Sequence, residues 1–277
     1  MPFFVATKIA RTSIQDQGEL VRMQFTCFAT SDTGRHRRNN EDSYLCNAKQ
    51  ELFAVADGMG GQASGEIASK VAVQSVQDFV LRSRAEDITW PIPYRKGLSL
   101  AQNRLLAAAA HANDRIRNLS KEKPSMKGMG TTLVGATIEG NHLAVVNIGD
   151  SRLYRVRDGQ IEQITQDHNL AWEQERMGLL TKEEAFHHPQ RHILTSALGI
   201  ELIENIRIDL SRIPIRKKDL FLMCSDGLND MLSDEEIAER IASPESESLE
   251  EMGLSLIREA NRAGGKDNIT VVLLSFH

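Results

Sequence analysis

The chain has 277 residues, of which 41% are hydrophobic and 26% are charged, and its formal net charge is −5. This length is enough for one large domain with a full core or for two small ones. The mildly acidic net charge argues against a nucleic-acid-binding protein, and no apolar run is long enough to span a membrane. We therefore expect neither a nucleic acid nor a membrane as a partner.

The first part of the sequence predicts strands followed by helices. Residues 1–22 have weak periodicity and are expected to be an N-terminal extension of unknown role. Two strands and then two helices are predicted, the first helix with Ser64 as its cap: Gln24–Thr30, Glu51–Ala56, Ser64 to about Arg82 and Leu98 to about Leu119. Asp87–Lys96, which contains two prolines, is predicted to be a loop between the helices.

The rest of the chain is predicted to be β-rich and to close with two helices. Strands are expected at Thr131–Ile138, His142–Ile148, Arg152–Arg157, Gln160–Thr165, Glu204–Asp209, Asp219–Cys224 and Ile269–Phe276. Asp158-Gly159 is typical of a type I′ hairpin turn. Asn169–Pro189 is a polar insertion with a capping box from Thr181 to Glu184, and a second capping box opens a helix from Ser233 to about Ala242, ahead of a helix over Leu249–Arg262. This order favours an α+β fold with an antiparallel sandwich flanked by helices.

Acidic residues stand beside glycine or asparagine at the borders of several apolar runs. They are found in Asn40-Glu41-Asp42, Asp57-Gly58-Met59-Gly60-Gly61, Gly149-Asp150-Ser151-Arg152, Ser225-Asp226-Gly227 and Lys266-Asp267-Asn268. Acids at strand ends meet at one edge of a sandwich, where they repel one another unless divalent cations neutralise them. Carboxylate and carbonyl oxygens suit Mg²⁺ or Mn²⁺. A single Asp-Gly pair is usually only a turn, but the combination predicts a metal site.

These residues form an ordered set of motifs that resembles a known family. The motifs are Gly34 to Ser43, Val55 to Gly61, Gly130-Thr131-Thr132, Gly149 to Arg152, Ser225 to Leu228 and Gly265 to Thr270. From about Gln24 to His277, the chain resembles the metal-dependent Ser/Thr protein phosphatases of the protein phosphatase 2C type, in their bacterial form. Each motif is weak alone, whereas six in this order are specific.

The resemblance implies a fold, a domain and a metal centre. It implies a four-layer α-β-β-α sandwich with two central antiparallel sheets, a phosphatase domain over residues 23–277, and a flap at about 167–199 beside the active site. It also implies two Mn²⁺ or Mg²⁺ ions. By matched position, Asp57 would bridge both ions, Asp226 and Asp267 would hold the first, Glu41 and the Gly58 carbonyl would hold the second, and Asp42 would act through water. Asp150, Asp226 and Asp230 would line the site of a third, weaker ion.

The resemblance further implies a reaction. Arg37 would clamp the substrate phosphate, because a guanidinium fork pairs well with phosphate oxygens. A hydroxide bridging the ions would attack phosphorus in a single in-line displacement without a phosphoenzyme. The expected partners are phosphorylated Ser/Thr proteins, including a bacterial Ser/Thr kinase, and the expected state is a cytoplasmic monomer. The alternatives are a pseudophosphatase that only binds phosphoproteins and a phosphatase dedicated to one regulatory protein, such as an anti-sigma-factor antagonist.

Three features depart from the pattern or offer other chemistry. Met59 and Gln62 stand where many relatives have a histidine, so the leaving alkoxide needs another proton source, with water near Asp150 preferred over His168. A zinc site at His187, His188 and His192 is disfavoured because adjacent histidines in a polar segment usually face solvent and no carboxylate or cysteine completes a tetrahedral ligand set nearby. Cys27, Cys46 and Cys224 are widely spaced, which favours reduced thiols over disulfides and indicates no thiol catalysis.

Overall fold

The computed structural model describes residues 23–61, 64–242 and 248–277, and their strands form two antiparallel sheets. The predicted extension 1–22 and Gln62 lie outside the described residues. The strands are β1 Phe25–Asp32, β2 Asp42–Asn47, β3 Leu52–Met59, β4 Gly130–Thr131, β5 Leu133–Glu139, β6 His142–Ile148, β7 Arg152–Arg157, β8 Gln160–Gln163, β9 Asp209–Pro214, β10 Leu220–Cys224 and β11 Ile269–Phe276. One sheet has the order β1-β11-β10-β7-β8 and the other β2-β3-β5-β6-β9, with β4 paired to the end of β3.

Helices cover the outer faces of both sheets. They are α1 Ser64–Ala85, α2 Leu100–Glu122, α3 Leu170–Arg176, α4 Lys182–Phe186, α5 Asp226–Asn229, α6 Asp234–Ile241 and α7 Leu249–Arg262. Both predicted capping boxes, Thr181 with Glu184 and Ser233 with Glu236, are present, and they supply acceptors and donors for the free backbone groups of the first turn. Among the helices that the structure describes, none combines the length and the apolar character that crossing a membrane requires.

The side chains of several strands alternate between two apolar layers, because successive residues of a strand point to opposite faces. Phe25 and Cys27 face the layer between the sheets, where Phe53 also lies, whereas Phe28 faces α7. On the other sheet, Ala54 faces the helical layer of α1 and α2. Helices therefore bury the outer face of each sheet, which confirms the predicted α+β four-layer sandwich with two central antiparallel sheets.

Antiparallel pairing brings the predicted acidic motifs to one edge. Asp42 at the start of β2 pairs in register with Asp57 near the end of β3. β10 pairs with β11 so that Cys224 faces Val271, which places the residues after β10 beside those before β11. The β6–β7 link ends at the same edge, because β7 also pairs with β10, with Arg152 opposite Cys224.

Two local predictions were wrong. The strand predicted at Glu204–Asp209 contains a 3-10 turn, Ile203–Asn205, and the strand β9 runs from Asp209 to Pro214 instead. The apolar side chains of Ile206 and Ile208 pack against the layer of α1 and α2, so their alternation did not report sheet pairing. Strand β2 was not predicted. The hairpin at Asp158-Gly159 is confirmed, since φ is positive at both residues, 51° and 77°.

Candidate metal centre

The end of β3 is fixed by the Gly130-Thr131-Thr132 motif. The backbone N–H of Asp57 donates to Thr132 Oγ1 (2.9 Å), and the Asp57 carbonyl accepts from Thr131 Oγ1 (2.8 Å) and from the Thr132 N–H (2.9 Å). The Thr132 hydroxyl also contacts Ser151 Oγ at 2.7 Å. These bonds position the Asp57 carboxylate through its backbone and tie the end of β3 to the β6–β7 link.

Glycine is required at Gly58 by a close approach of two backbone segments. A Cβ at Gly58 would lie 2.1 Å from the Gly65 carbonyl oxygen, and a Cβ at Gly65 would lie 2.7 Å from that of Gly58. The Gly58 N–H donates to the Glu41 carbonyl at 3.1 Å. The Glu41 carboxylate accepts from the N–H groups of Gly65 and Glu66 at the start of α1, and burial is the main reason that its pKa is raised.

Asp226 and Asp267 approach this point from the other sheet. Asp226 opens α5 directly after β10 and Ser225, and Asp267 stands just before β11. A Cβ at Gly227 would lie only 2.0 Å from the Asn268 carbonyl oxygen, which explains the glycine after Asp226. Asp267 Oδ1 accepts from the Asn268 N–H at 2.8 Å, and its Oδ2 accepts from Arg37 Nη2 at 2.6 Å.

Asp42 lies beneath the cleft and connects two of the motifs. Its Oδ2 accepts from Ser225 Oγ (2.7 Å) and from Thr270 Oγ1 (2.6 Å). Its Oδ1 is buried without a hydrogen-bond partner in the part of the chain that the structure describes. Burial raises the pKa of Asp42 to about 6, although the two hydroxyl donors oppose that shift. One carboxylate oxygen is thus held by the scaffold while the other is left for a ligand.

Asp150 and Asp230 form the far end of the acidic cluster. Burial, followed by the charges of Asp167 and Asp230, raises the pKa of Asp150 to about 7. Asp230 pairs with Arg191 Nη1 at 2.8 Å and lies 3.6 Å from His192 Nδ1. Ligand atoms of His192, Asp226 and Asp230 all lie within 4.8 Å of one another. No carboxylate was expected to complete a ligand set near these histidines, whereas the fold brings two carboxylates close to His192.

The sequence reasoning missed buried residues that support the Asp150 turn. Arg152 is buried and forms a bidentate ion pair with Asp167, and its Nη1 donates to the Tyr154 hydroxyl at 2.7 Å. His168 is fully buried; its Nδ1 accepts from the Gly149 N–H at 3.3 Å, and Nε2 lies 3.0 Å from Asp209 Oδ2. The strand alternation that puts Arg152 and Tyr154 on one face was the available sequence signal.

The acidic cluster fits a hard divalent cation. Burial and then the charge of neighbouring aspartates hold the pKa of Asp57 and of Asp226 well above the usual range. The Oδ1 atom of Asp226 is buried and, among the described residues, has no hydrogen-bond partner. Unpaired buried carboxylate oxygens are costly unless a counter-charge binds them. Oxygen ligands at this density match Mg²⁺ or Mn²⁺.

All but one of the predicted site residues line a single cleft of about 790 Å³. They are Arg37, Glu41, Asp57, Gly58, Asp150, Asp226, Asp230 and Asp267, whereas Asp42 lies beneath it. Met59, one of the two positions at which the resemblance leads us to expect a histidine, lines the cleft. His168 has both ring nitrogens engaged away from the cleft.

Comparison with known proteins identifies the family. The family model described as Protein phosphatase 2C matches residues 30–261. The serine/threonine phosphatase stp of Listeria innocua is 35% identical over 252 residues, covering 88% of this chain and 93% of that protein. The serine/threonine protein phosphatase PstP of Mycobacterium tuberculosis is 40% identical over 245 residues, covering 88% of this chain and 44% of PstP.

A solved structure shares this fold and was crystallised with metal ions. The catalytic domain of PstP, crystallised in complex with two manganese ions, superposes with a TM-score of 0.75 at 36% identity, covering 91% of this chain and 98% of that one. The match confirms the resemblance inferred from the motifs and the two-sheet architecture. The chain belongs to the protein phosphatase 2C family of phosphoprotein phosphatases.

Proposed function

We propose that this chain hydrolyses phosphoserine and phosphothreonine in proteins with the help of two divalent cations, Mn²⁺ or Mg²⁺, in a single in-line displacement. The observation that carries the proposal is the convergence of Asp57, Asp226 and Asp267 beside the guanidinium of Arg37. The family, the named Ser/Thr phosphatases among its relatives and the two manganese ions in PstP support it.

The residues present would divide the cations as the family pattern implies. Asp57 would bridge two ions, with Asp226 and Asp267 on the first and with Glu41 and the Gly58 carbonyl on the second. Asp42 would contribute through water with its free Oδ1, and Asp150, Asp226 and Asp230 would hold a weaker third ion. When bound, the cations supply Lewis-acid chemistry, which makes water nucleophilic near neutral pH and neutralises phosphate charge.

Arg37 would hold the phosphate during the reaction. Its side chain is 51% exposed and, among the described residues, its side-chain hydrogen bond goes to Asp267, itself 34% exposed, so the guanidinium can exchange that carboxylate for phosphate oxygens. Paired charge-assisted bonds then orient the phosphate and stabilise negative charge on its equatorial oxygens in the transition state. Exposed Arg35 and Arg38 belong to the solvated basic loop around it.

The leaving alkoxide must gain a proton, and His168 is not placed to supply it. His168 has no exposed surface, and both of its ring nitrogens are engaged. We place the donor on the Asp150 side of the cleft, where the Asp150 carboxylate would orient the water that delivers the proton to the alkoxide oxygen.

The biological setting is part of the same proposal. The substrates would be phosphorylated proteins, including a bacterial Ser/Thr kinase, and the enzyme would act as a monomer without nucleic-acid or membrane partners. The three cysteines are free thiols, which suits the reducing cytoplasm. A pseudophosphatase is disfavoured because every matched ligand is present, and a phosphatase dedicated to one regulatory protein would share the same chemistry.

The test is hydrolysis of p-nitrophenyl phosphate and of a phosphothreonine peptide with Mn²⁺, with Mg²⁺ and with EDTA. Wild type would be active only with metal, and Asp226→Ala would be inactive. Asp114→Ala, which changes an exposed acid on α2, is the matched control and would keep wild-type activity. A folded wild-type protein that turns over neither substrate with any metal would favour the binding-only alternative.

A further inference from the structure

The segment that closes one side of the cleft is held rigidly by its backbone. Leu198 and Thr131 exchange two backbone hydrogen bonds, at 2.8 and 3.0 Å. The next N–H, that of Gly199, donates to Oδ1 of the fully buried Asn113 at 2.7 Å. Ile200 follows directly, so its backbone is anchored although its side chain is 46% exposed. An apolar side chain that is both exposed and pre-positioned is suited to binding, because little conformational freedom is lost on contact.

Ile200 forms an apolar wall with side chains from β3 and from the neighbouring loops. A Cβ at Gly130 would lie 2.9 Å from both Ile200 Cδ1 and Met59 Cε, so the tips of these two side chains cover the same glycine. Leu194 and Ile206 line the same cleft. We call Met59, Leu194, Ile200 and Ile206 the Ile200 wall.

The wall adjoins the acidic centre at a distance that suits a peptide. Met59 is two residues beyond Asp57 in β3, which corresponds to roughly 7 Å along a strand. A substrate residue one or two positions from the phosphorylated residue spans a similar distance when extended. The basic side chains of Arg37 and Lys266 line the same cleft. The cleft therefore has a charged part, to which these two residues belong, and an apolar part, which is the wall.

We propose that the Ile200 wall binds an aliphatic side chain next to the phosphorylated serine or threonine of the substrate protein. This inference rests on the proposed function, because it assigns a flanking subsite to the same reaction. None of the four side chains of the wall carries a hydrogen-bonding oxygen or nitrogen, so a charged or polar flanking residue would lose water there without gaining a partner. An aliphatic residue would instead remove apolar surface from water on both sides of the contact.

The test compares two phosphothreonine peptides that differ only in carrying leucine or serine at the positions flanking the phosphothreonine. With Mn²⁺, wild type is expected to favour the leucine peptide in kcat/KM by about fivefold, the scale for partial burial of one aliphatic side chain. Ile200→Thr keeps the branch at Cβ but replaces the arm that ends in Cδ1 by a hydroxyl, and it should bring the ratio close to one. Met59→Gln should lower the ratio in the same direction.

Leu202→Thr is the matched control, because Leu202 is 47% exposed and does not line the cleft. It should keep the wild-type preference. A wild-type ratio near one, or an unchanged ratio in Ile200→Thr, would overturn the subsite while hydrolysis of both peptides left the phosphatase proposal intact. Failure of wild type to hydrolyse either peptide or p-nitrophenyl phosphate would overturn both.

Discussion

Replacing Asp150 by asparagine is expected to stabilise the metal-free protein, and to do so more strongly at higher pH. Asp150 is 7% exposed, and burial together with the charges of Asp167 and Asp230 raises its pKa from 3.8 to about 7. A carboxyl group whose pKa is higher in the folded state binds its proton more tightly there. Stability is therefore greatest below the unfolded pKa, falls as the pH rises through the folded pKa, and levels off above it.

The magnitude follows from the shift of about three pKa units. At roughly 1.4 kcal/mol per unit, the raised pKa of Asp150 costs about 4 kcal/mol of stability near pH 8, where the group is ionised in both states. Near pH 5.5 the cost is only about 2 kcal/mol, because the folded state keeps the proton there. Asparagine carries no charge at either pH. The stabilisation by Asp150→Asn should thus be larger near pH 8 than near pH 5.5 by about 2 kcal/mol, or very roughly 4–8 °C in Tm for a chain of this size.

The assay is thermal and urea unfolding followed by circular dichroism, in EDTA, at the two pH values. Asp158→Asn is the control, because Asp158 lies in an exposed turn with φ at 51°, which asparagine also tolerates, and it should show no such pH difference. Equal effects of Asp150→Asn at both pH values, or a larger gain at the lower one, would refute the reasoning. Addition of Mn²⁺ should stabilise wild type more than the variant, since the cation would bind the carboxylate.

Three further changes test other parts of the site. Gly58→Ala should destabilise the fold by about 3 kcal/mol or more in thermal unfolding, because its Cβ would meet the Gly65 carbonyl at 2.1 Å. Gly61→Ala, with nothing within 4 Å, should stay within about 0.5 kcal/mol, and equal losses for both would contradict the backbone argument. His168→Ala should lose roughly 2 kcal/mol of stability with its two hydrogen bonds yet keep most turnover, and a folded but inactive variant would make His168 catalytic. Arg37→Lys should lower kcat/KM for a phosphopeptide by about tenfold or more through loss of the bidentate fork, and unchanged kinetics would remove Arg37 from phosphate binding.

The acidic residues of the centre were predictable because a short local sequence pattern identifies them. Asp57 lies near the end of a buried strand, Asp226 comes just after another, and each precedes a glycine, so both features can be read over a few residues. The close approaches at Gly58 and Gly227 give the physical reason for those glycines. Antiparallel pairing then brings these strand ends to one edge of the sandwich. The alternation of side chains between the two faces of each strand had already implied this arrangement.

Contacts between distant segments could not be predicted in the same way. Strand β9 was misplaced because the alternation of Ile206 and Ile208 reports packing on α1 and α2, which sequence periodicity cannot distinguish from sheet pairing. A zinc site with His192 was disfavoured because no carboxylate or cysteine was expected to complete a ligand set, yet the fold brings ligand atoms of Asp226 and Asp230 within 4.8 Å of it. Such pairings depend on how whole elements pack, and no local signal specifies them.

The scaffold holds the acidic residues in place by contacts that do not involve a metal. Asp42 is held by the hydroxyls of Ser225 and Thr270, and Asp57 is held through its backbone by Thr131 and Thr132. The two hydroxyl bonds to Asp42 oppose the effect of burial, which is the main reason that its pKa is raised, while its Oδ1 atom has no hydrogen-bond partner among the described residues and is left for a ligand. The small hydroxyl residues of the motifs therefore have a physical role as specific as that of the carboxylates. They keep a charge cluster assembled that would otherwise relax apart, so that cation binding does not also have to order the strand ends.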